Sequence, residues 1–142
     1  MKTLLEFIQS ALLSNGQQTL KWVMHELEDT EVEKLKQMIG LDLQGFKRKI
    51  DTNAVRHVFK KHGNEEAELK RGQIGIVQED FLLIEVVVSK PDILVIGMSK
   101  LGNRVIFYEK TFPEFRFFYV EEIRTGRKEI MMQTFYKTKI RR

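Results

Sequence analysis

The chain has 142 residues, of which 42% are apolar, and this is enough for one domain with a substantial core. The absence of cysteine excludes thiol nucleophiles, iron–sulfur clusters and thiolate zinc sites. No apolar run approaches the roughly 18 residues of a membrane span, and the first thirteen residues predict a helix rather than a signal peptide. We therefore expect a cytoplasmic protein that makes no membrane contact.

The net charge of +4 is spread unevenly along the chain. Residues 1–50 hold seven basic and seven acidic residues, so the remainder has 17 basic and 13 acidic residues. The last six residues, 137–142, include four basic residues and no acidic one. This basic end suits a polyanionic partner through counterion release, and it equally suits a solvated tail.

The first forty residues predict three helices. A Ser14-Asn15-Gly16 turn separates the first two helices, in which apolar residues recur at helical spacing. The third begins at a capping-box pattern, Thr30 with Glu33, and Gly40 is well placed to end it. The apolar positions are Leu4, Leu5, Ile8, Leu12 and Leu13 in the first helix and Leu20, Val23, Met24 and Leu27 in the second.

The middle of the chain predicts short elements joined by loops. Gly63-Asn64 is a strong helix stop. The segment 79–89 is ambiguous, since its length and acidic start favour a helix whereas its valines favour a strand. In chain order we predict a short strand over 46–50, a helix over 53–61 capped by Asp51 or Thr52, a charged loop over 65–71, an extended segment over 74–77 and a helix over 79–89.

The last fifty residues predict an antiparallel sheet. They are rich in β-branched and aromatic residues, and turn signals at Gly102-Asn103, Pro113 and Thr125-Gly126 divide them. Helices followed by such a meander indicate an α+β architecture. The predicted strands cover 93–96, 104–110, 116–123 and 128–136.

Two of the three histidines, His57 and His62, lie in one basic segment. On an ideal helix a separation of five residues turns the two rings about 140° apart, so they would not chelate one metal ion. Nearby cations can hold a phosphate and keep a histidine neutral, as a general base requires. The alternative is a solvated helix face, and His25 on its own is better explained as structural.

A second candidate group lies in the predicted sheet. Thr134 and Tyr136 are two residues apart on a strand, so their hydroxyls should point to the same side. Lys110 would face the same cleft if its strand were a neighbour. The alternative is that Thr and Tyr simply suit strands. The sequence shows no convergent set of His and carboxylate ligands, so we expect no metal.

Five short motifs, in order over residues 40–140, resemble the phage-associated branch of the barnase–EndoU–colicin–RelE nuclease superfamily. The resemblance implies an α+β fold, with N-terminal helices packed on a four-stranded antiparallel sheet. It places the nuclease core at 46–142, after a helical segment at 1–45, within one compact domain. The motifs are Ile50 to Asn64, Arg71 to Ile76 with Asp80-Phe81, Tyr108 to Lys110, Val120 to Arg124, and Thr134 to Lys137.

The resemblance also implies a function, because members of that superfamily are typically metal-independent RNases used as toxins. RNA, with tRNA among the candidates, would be the substrate, an immunity or antitoxin protein would be the inhibitor, and no cofactor would be needed. By position the catalytic residues would be His57, His62, Lys110, Thr134 and Tyr136. The basic residues expected to bind the substrate are Arg56, Lys61, Arg71, Arg124 and Lys137.

The implied mechanism is cleavage by the 2′-hydroxyl of the RNA, which leaves a 2′,3′-cyclic phosphate. His57 would be the general base, and His62 would protonate the leaving oxygen or orient the phosphate. Lys110 would stabilise phosphoryl charge, Thr134 would bind the phosphate and Tyr136 would stack on a base. One alternative is a non-catalytic module that binds RNA or protein through the basic end and the aromatic residues of 115–119. Metal-dependent hydrolysis is a third.

Overall fold

The computed structural model describes residues 3–14 and 19–140. The Asn15-Gly16 turn and the final Arg141 and Arg142 of the basic end lie outside the described residues. Within them, Thr3 and Glu6 form a reciprocal capping box at the start of the first helix. The helices are α1 (Leu4–Leu13), α2 (Asp29–Ile39), α3 (Thr52–His62), α4 (Glu65–Lys70) and α5 (Ile84–Ser89), and the strands are β1 (Lys21–Glu26), β2 (Lys47–Asp51), β3 (Ile93–Met98), β4 (Arg104–Thr111), β5 (Phe115–Arg124) and β6 (Glu129–Lys139).

The prediction of a second helix is wrong, because residues 21–26 form the edge strand β1. This strand pairs antiparallel with β2, and its register shifts between Val23 and His25. Trp22 and Met24, two residues apart, both pack against the core as alternation requires, and beyond the shift Leu27, three residues after Met24, is buried as well. Apolar residues on an irregular strand thus mimic helical spacing.

The other helices differ from the prediction mainly at their ends. Helix α2 ends at the left-handed Gly40 as predicted, but it begins after Glu28, without a side-chain cap from Thr30. The predicted charged loop after Asn64 is helix α4, because the Asn64 side chain accepts the Ala67 N–H and caps it. The segment predicted as a helix over 79–89 is a 3₁₀ turn, Gln78–Leu83, followed by α5.

The sheet has six strands in the order β1-β2-β6-β5-β4-β3. The four-stranded antiparallel prediction is therefore incomplete: β3 to β6 form the predicted meander, whereas β1 and β2 extend it. The sheet is mixed because β2 runs parallel to β6, through the pairs Lys47–Glu129 to Lys49–Met131. Residues 21–51, most of which were predicted to precede the nuclease core, thus supply two strands of the same sheet.

One face of the sheet carries the main core. Buried residues of α1, α2, α3 and α5 pack there against inward side chains such as Ile106, Phe117 and Phe135. We call this the helix-covered face, and the opposite side the open face. On the open face Val23, Val95 and Phe107 are half exposed. None of the described helices is long and apolar enough to cross a membrane.

Candidate active site

Thr134 and Tyr136 both lie on the open face, as their spacing predicts. In the register of β5 and β6, Val120 is opposite Thr134 and Phe118 is opposite Tyr136. The rings of Phe118 and Tyr136 stack with centroids 4.8 Å apart and only 10° between their planes. Burial, together with the negative charge of Glu109, raises the pKa of the Tyr136 phenol, so it stays protonated at neutral pH.

Next to Tyr136, the open face offers a partly apolar recess. Thr134 Oγ1 is buried and, among the described residues, has no hydrogen-bond partner. A pocket on the same face is lined by residues of β3, β4 and β5 together with Tyr136, and Thr134 is not among its lining residues. The side chains on the floor of the pocket include Val95, Phe107, Phe118 and Val120.

His62 reaches this face from the end of helix α3. Its ring stacks on Tyr136 with centroids 5.1 Å apart. Helix α3 ends at His62, and Gly63 caps it by donating its N–H to the Phe59 carbonyl. Only glycine fits at this position, because a Cβ would lie 2.5 Å from that carbonyl oxygen. The chain then returns along β6, where the His62 carbonyl accepts the Ile76 N–H at 2.8 Å. An isolated β-bridge between Ile74 and Lys137 joins this segment to β6.

Two successive charged contacts, from His62 to Glu68 and from Glu68 to Arg71, hold the His62 ring in place. Its Nδ1 lies 3.1 Å from Glu68 Oε2, and Glu68 is fully buried. The other Glu68 oxygen is 2.8 Å from an Arg71 guanidinium nitrogen, and Arg71 also donates to the Lys61 carbonyl. A carboxylate at Nδ1 favours the tautomer with hydrogen on that nitrogen, which leaves Nε2 as the basic atom. The sequence prediction missed Glu68, because it took this segment for a loop.

His57 lies apart from this group. It is exposed on α3, and the helical offset from His62 turns it to another side. Within the described part of the chain it makes no hydrogen bond or ion pair. Its neighbour Arg56 donates to the Ala11 carbonyl and to Ser14, which fastens α3 to the end of α1, and Lys61 is exposed.

The prediction that Lys110 faces the same cleft as Thr134 and Tyr136 is wrong. Strand β5 separates β4 from β6, and Lys110 is opposite the core residue Phe117. Its side chain is therefore on the helix-covered side, with its ammonium nitrogen 3.5 Å from Asp92. Alternation along β4 gives the open face to Glu109 instead, so a one-residue difference in strand position decides the orientation.

Lys137 is also directed away from the open face. It is buried, its ammonium nitrogen is 2.8 Å from an Asp80 carboxylate oxygen, and it lies 4.5 Å from the centroid of the Phe115 ring. A lysine that is itself buried and paired with a carboxylate is not presented to a polyanion. Its position next to Tyr136 in β6 explains this orientation, because adjacent strand residues point to opposite faces.

Arg124 belongs to a cluster that the sequence did not reveal. Glu129 is almost fully buried on the open face, with the ammonium groups of Lys21 and Lys49 each 3.0 Å away and Arg124 at 3.9 Å. Arg124 also donates to Glu122 at 3.0 Å. Burial opposes ionisation of Glu129, but the hydrogen bonds and charges of the two lysines lower its pKa overall. We call these five residues the polar cluster.

The polar cluster could not be recognised from spacing. Its members come from β1, β2, β5 and β6, which meet only through the parallel pairing of β2 with β6. On the open face the polar cluster lies toward the β1 edge and the recess lies toward the β3 edge. Cations and aromatic rings therefore occupy adjacent parts of one face. Among the described residues no group of three or more His, Cys, Asp or Glu side chains could hold a metal ion.

A comparison with protein families shows which family the chain belongs to. A family model described as phage-Barnase-EndoU-ColicinE5/D-RelE like nuclease3 matches residues 26–142. The chain belongs to this nuclease family. The superfamily predicted from the five motifs is thus confirmed, and the matched part of the nuclease begins at Glu26, earlier than the motifs themselves. No curated protein and no solved structure gave a significant match.

The matched segment of the nuclease includes all the candidate residues of the open face except Lys21. The structure brings together His62, Glu68, Thr134 and Tyr136, and it places Arg124 on the same face. It leaves His57, Lys110 and Lys137 elsewhere. This nucleic-acid-cleaving enzyme therefore holds the buried His62 ring and the buried Thr134 hydroxyl next to Tyr136, the member of the group that lines the recess.

Proposed function

We propose that this nuclease is a metal-independent endoribonuclease whose active site is the open face beside His62. The observation that carries the proposal is the His62 ring, held by the buried Glu68 and stacked on Tyr136 at the rim of the recess. A histidine oriented by a carboxylate is a suitable proton acceptor near neutral pH. Such a group needs no metal ion to begin the reaction.

RNA with unpaired bases fits this surface better than a duplex does. The stacked rings of Tyr136 and Phe118 offer aromatic surface beside the recess, and unstacked bases bind to such rings. Arg124 and Lys49 of the polar cluster supply positive charge on the same face. We therefore expect single-stranded segments, such as the loops of tRNA, to be preferred.

The proposed reaction transfers the phosphoryl group from the 5′-oxygen to the 2′-oxygen within the substrate. The His62 Nε2 removes the 2′-hydroxyl proton, the 2′-oxygen forms a bond to phosphorus, and the bond to the 5′-oxygen breaks. That oxygen takes a proton from solvent, and His62 later releases its own to solvent. The protonated phenol of Tyr136, which lines the recess, donates to a phosphoryl oxygen, where negative charge develops. The products are a 2′,3′-cyclic phosphate and a 5′-hydroxyl.

This proposal moves the role of the base from His57 to His62, and one pair of variants tests it. RNA and a DNA of the same sequence are incubated with the wild-type chain, His62→Ala and His57→Ala in excess EDTA. We expect RNA cleavage by the wild type and by His57→Ala, with a loss of about 100-fold or more in His62→Ala. Circular dichroism would establish that all three chains are folded.

Three results would contradict the proposal. Equal cutting of DNA would exclude attack by the 2′-hydroxyl, and loss of activity in EDTA would point to a metal-dependent reaction. Full activity of His62→Ala beside an inactive His57→Ala would return the role of the base to His57. Binding of RNA without cleavage by the wild type would favour the non-catalytic module instead.

A toxin role follows from the same chemistry. A nuclease that cuts RNA in the cytoplasm harms the cell that makes it unless an immunity or antitoxin protein covers the site. We propose such a partner, and the open face is the surface that it would cover. Induced expression in bacterial cells should arrest growth with the wild type but not with His62→Ala at equal protein level; equal growth of the two cultures would contradict a toxin role.

A further inference from the structure

The edge strand β3 is unusually apolar for an unpaired strand. It is the last strand of the sheet, and its sequence, Ile93 to Met98, has no charged side chain. Ile93 and Val95 are 50% and 53% exposed on the open face. Natural edge strands generally carry charges, proline or bulges that prevent pairing with another chain.

The opposite edge strand has these protective features. Strand β1 contains Lys21, His25 and Glu26, and its register shifts after Val23. A charged and irregular edge pairs poorly with a further strand. The two edges of one sheet thus differ, and only the β3 edge is free of such protection.

We propose that β3 pairs antiparallel with β3 of a second copy of this chain, so that one sheet continues across a two-fold dimer. An interface of identical surfaces closes at two copies, and the charged β1 edges stop further growth of the sheet. The inference rests on the fold alone and does not depend on the proposed reaction.

The two-fold symmetry sets the register of the pair. When both open faces lie on the same side of the sheet, directly opposed residues must share a face, which places Val95 opposite Val95 of the second copy. Ile93 is then opposite Gly97 of the second copy. The Phe107 ring already covers Gly97, since a Cβ there would lie 2.8 Å from Phe107 Cε2. Ile93 of each copy would therefore pack on Phe107 of the other.

The charges next to the strand do not select the partner. Lys90 and Asp92 precede β3 and Lys100 follows it, and Asp92 is already paired with Lys110 and accepts the Thr111 N–H. A second copy is favoured over an unrelated strand because the edge is complementary to itself in shape and polarity: Ile93 of one copy lies opposite Gly97 of the other, and neither strand brings a charged side chain into the pair.

The first test is the mass of the full chain in solution, measured by light scattering after size exclusion. The wild type and the control Val23→Lys, which places the same charge at a similarly exposed site on β1, should have twice the chain mass of 16.8 kDa. Val95→Lys should have the mass of one chain, with an unchanged circular dichroism spectrum. A wild type that remains monomeric at high micromolar concentration would overturn the proposal and leave this edge to a strand of another protein.

The second test uses the absence of cysteine from the chain. Directly opposed residues in an antiparallel pair have Cα atoms about 4.5–5.5 Å apart, within the range of about 4.4–6.8 Å that a disulfide spans. Under mild oxidation Val95→Cys should form a covalent dimer rapidly, whereas Val23→Cys should do so only slowly. Equal rates for the two variants would overturn the proposed register.

Discussion

The imidazole of His62 stacks on the phenol of Tyr136 with ring centroids 5.1 Å apart, and Tyr136 stacks in turn on Phe118. The three rings come from the end of α3, from β6 and from β5. This stack joins the proposed base to the aromatic surface on which we expect the substrate to lie. The predictions below follow from this arrangement and from the two charged networks of the sheet.

Removal of the Tyr136 ring should weaken RNA binding. Tyr136→Ala removes the middle ring of the stack and so disorders Phe118, the end ring on which a base can lie. Stacking of one base on an aromatic side chain contributes about 1–3 kcal/mol, so the dissociation constant should rise by roughly 5-fold to 150-fold. Tyr136→Phe keeps the ring and serves as the matched control, with nearly unchanged affinity. Fluorescence anisotropy with a labelled oligonucleotide, in a His62→Ala background that prevents cleavage, measures both. Equal affinities of all three chains would show that the bases bind elsewhere.

Glu68 should act through His62 rather than on the substrate. Glu68→Gln removes the negative charge beside Nδ1, so we expect kcat to fall about tenfold or more while KM changes little. Glu66→Gln, on the exposed side of α4, is the control. A purely structural role of Glu68 would lower the melting temperature of Glu68→Gln while leaving kcat of the folded chain unchanged.

The buried ion pair on the helix-covered face should be costly to break. Arg48 and Glu121 are both fully buried and share two hydrogen bonds of 2.9 Å, and Tyr108 donates to the same carboxylate. Glu121→Leu leaves the Arg48 guanidinium in the core with Glu31, 3.0 Å away and partly exposed, as its remaining carboxylate partner. The free energy of unfolding should therefore fall by about 3 kcal/mol, the lower end of the range for breaking a buried ion pair.

Urea denaturation measures this loss. Glu85→Ala removes the exposed partner of His25 and should cost no more than about 1 kcal/mol. The double variant Arg48→Met/Glu121→Leu should recover most of the loss, because it leaves no charge in the core and the carboxylate that loses its arginine, Glu31, is partly exposed to solvent. A Glu121→Leu chain as stable as the wild type would contradict the prediction.

The polar cluster should make the fold sensitive to acid. Hydrogen bonds from Lys21 and Lys49 overcome the effect of burial and lower the pKa of Glu129 below its ordinary value of 4.5. A group with a lowered pKa contributes stability above its pKa in the unfolded chain and loses it as pH falls through the pKa of the folded chain. The melting temperature should therefore fall below pH 4.5 in the wild type. In Glu129→Gln the decline should be shallower, from a lower value at pH 7.

Thermal melts between neutral pH and pH 3 test this point. Glu26→Gln is the control, since Glu26 is an exposed carboxylate on the neighbouring strand β1. Its melting curve should follow the wild type across the whole range. If Glu129→Gln declined as steeply as the wild type below pH 4.5, the acid sensitivity would have another origin.

Local sequence signals predicted the elements whose pattern is regular. The four strands from Ile93 onward alternate and end at glycine or proline turns, and α3 has a clear cap and stop, so their positions are confirmed. The signals failed where structure departs from regularity. The register shift in β1 gave helical spacing, and the cap of α4 rests on a single Asn64 side chain in a charged segment.

The sequence by itself determined the α+β class, the nuclease family, the position of His62 at the end of a helix and the shared face of Thr134 and Tyr136. These properties depend on residues adjacent in the sequence, on periodicity and on motifs that can be recognised in the linear sequence. Only the tertiary structure decided that Lys110 and Lys137 point away from that face, that Glu68 supports His62, and that three cations surround Glu129. Such relations depend on strand order and register, and these are set by long-range pairing between segments that no local pattern connects.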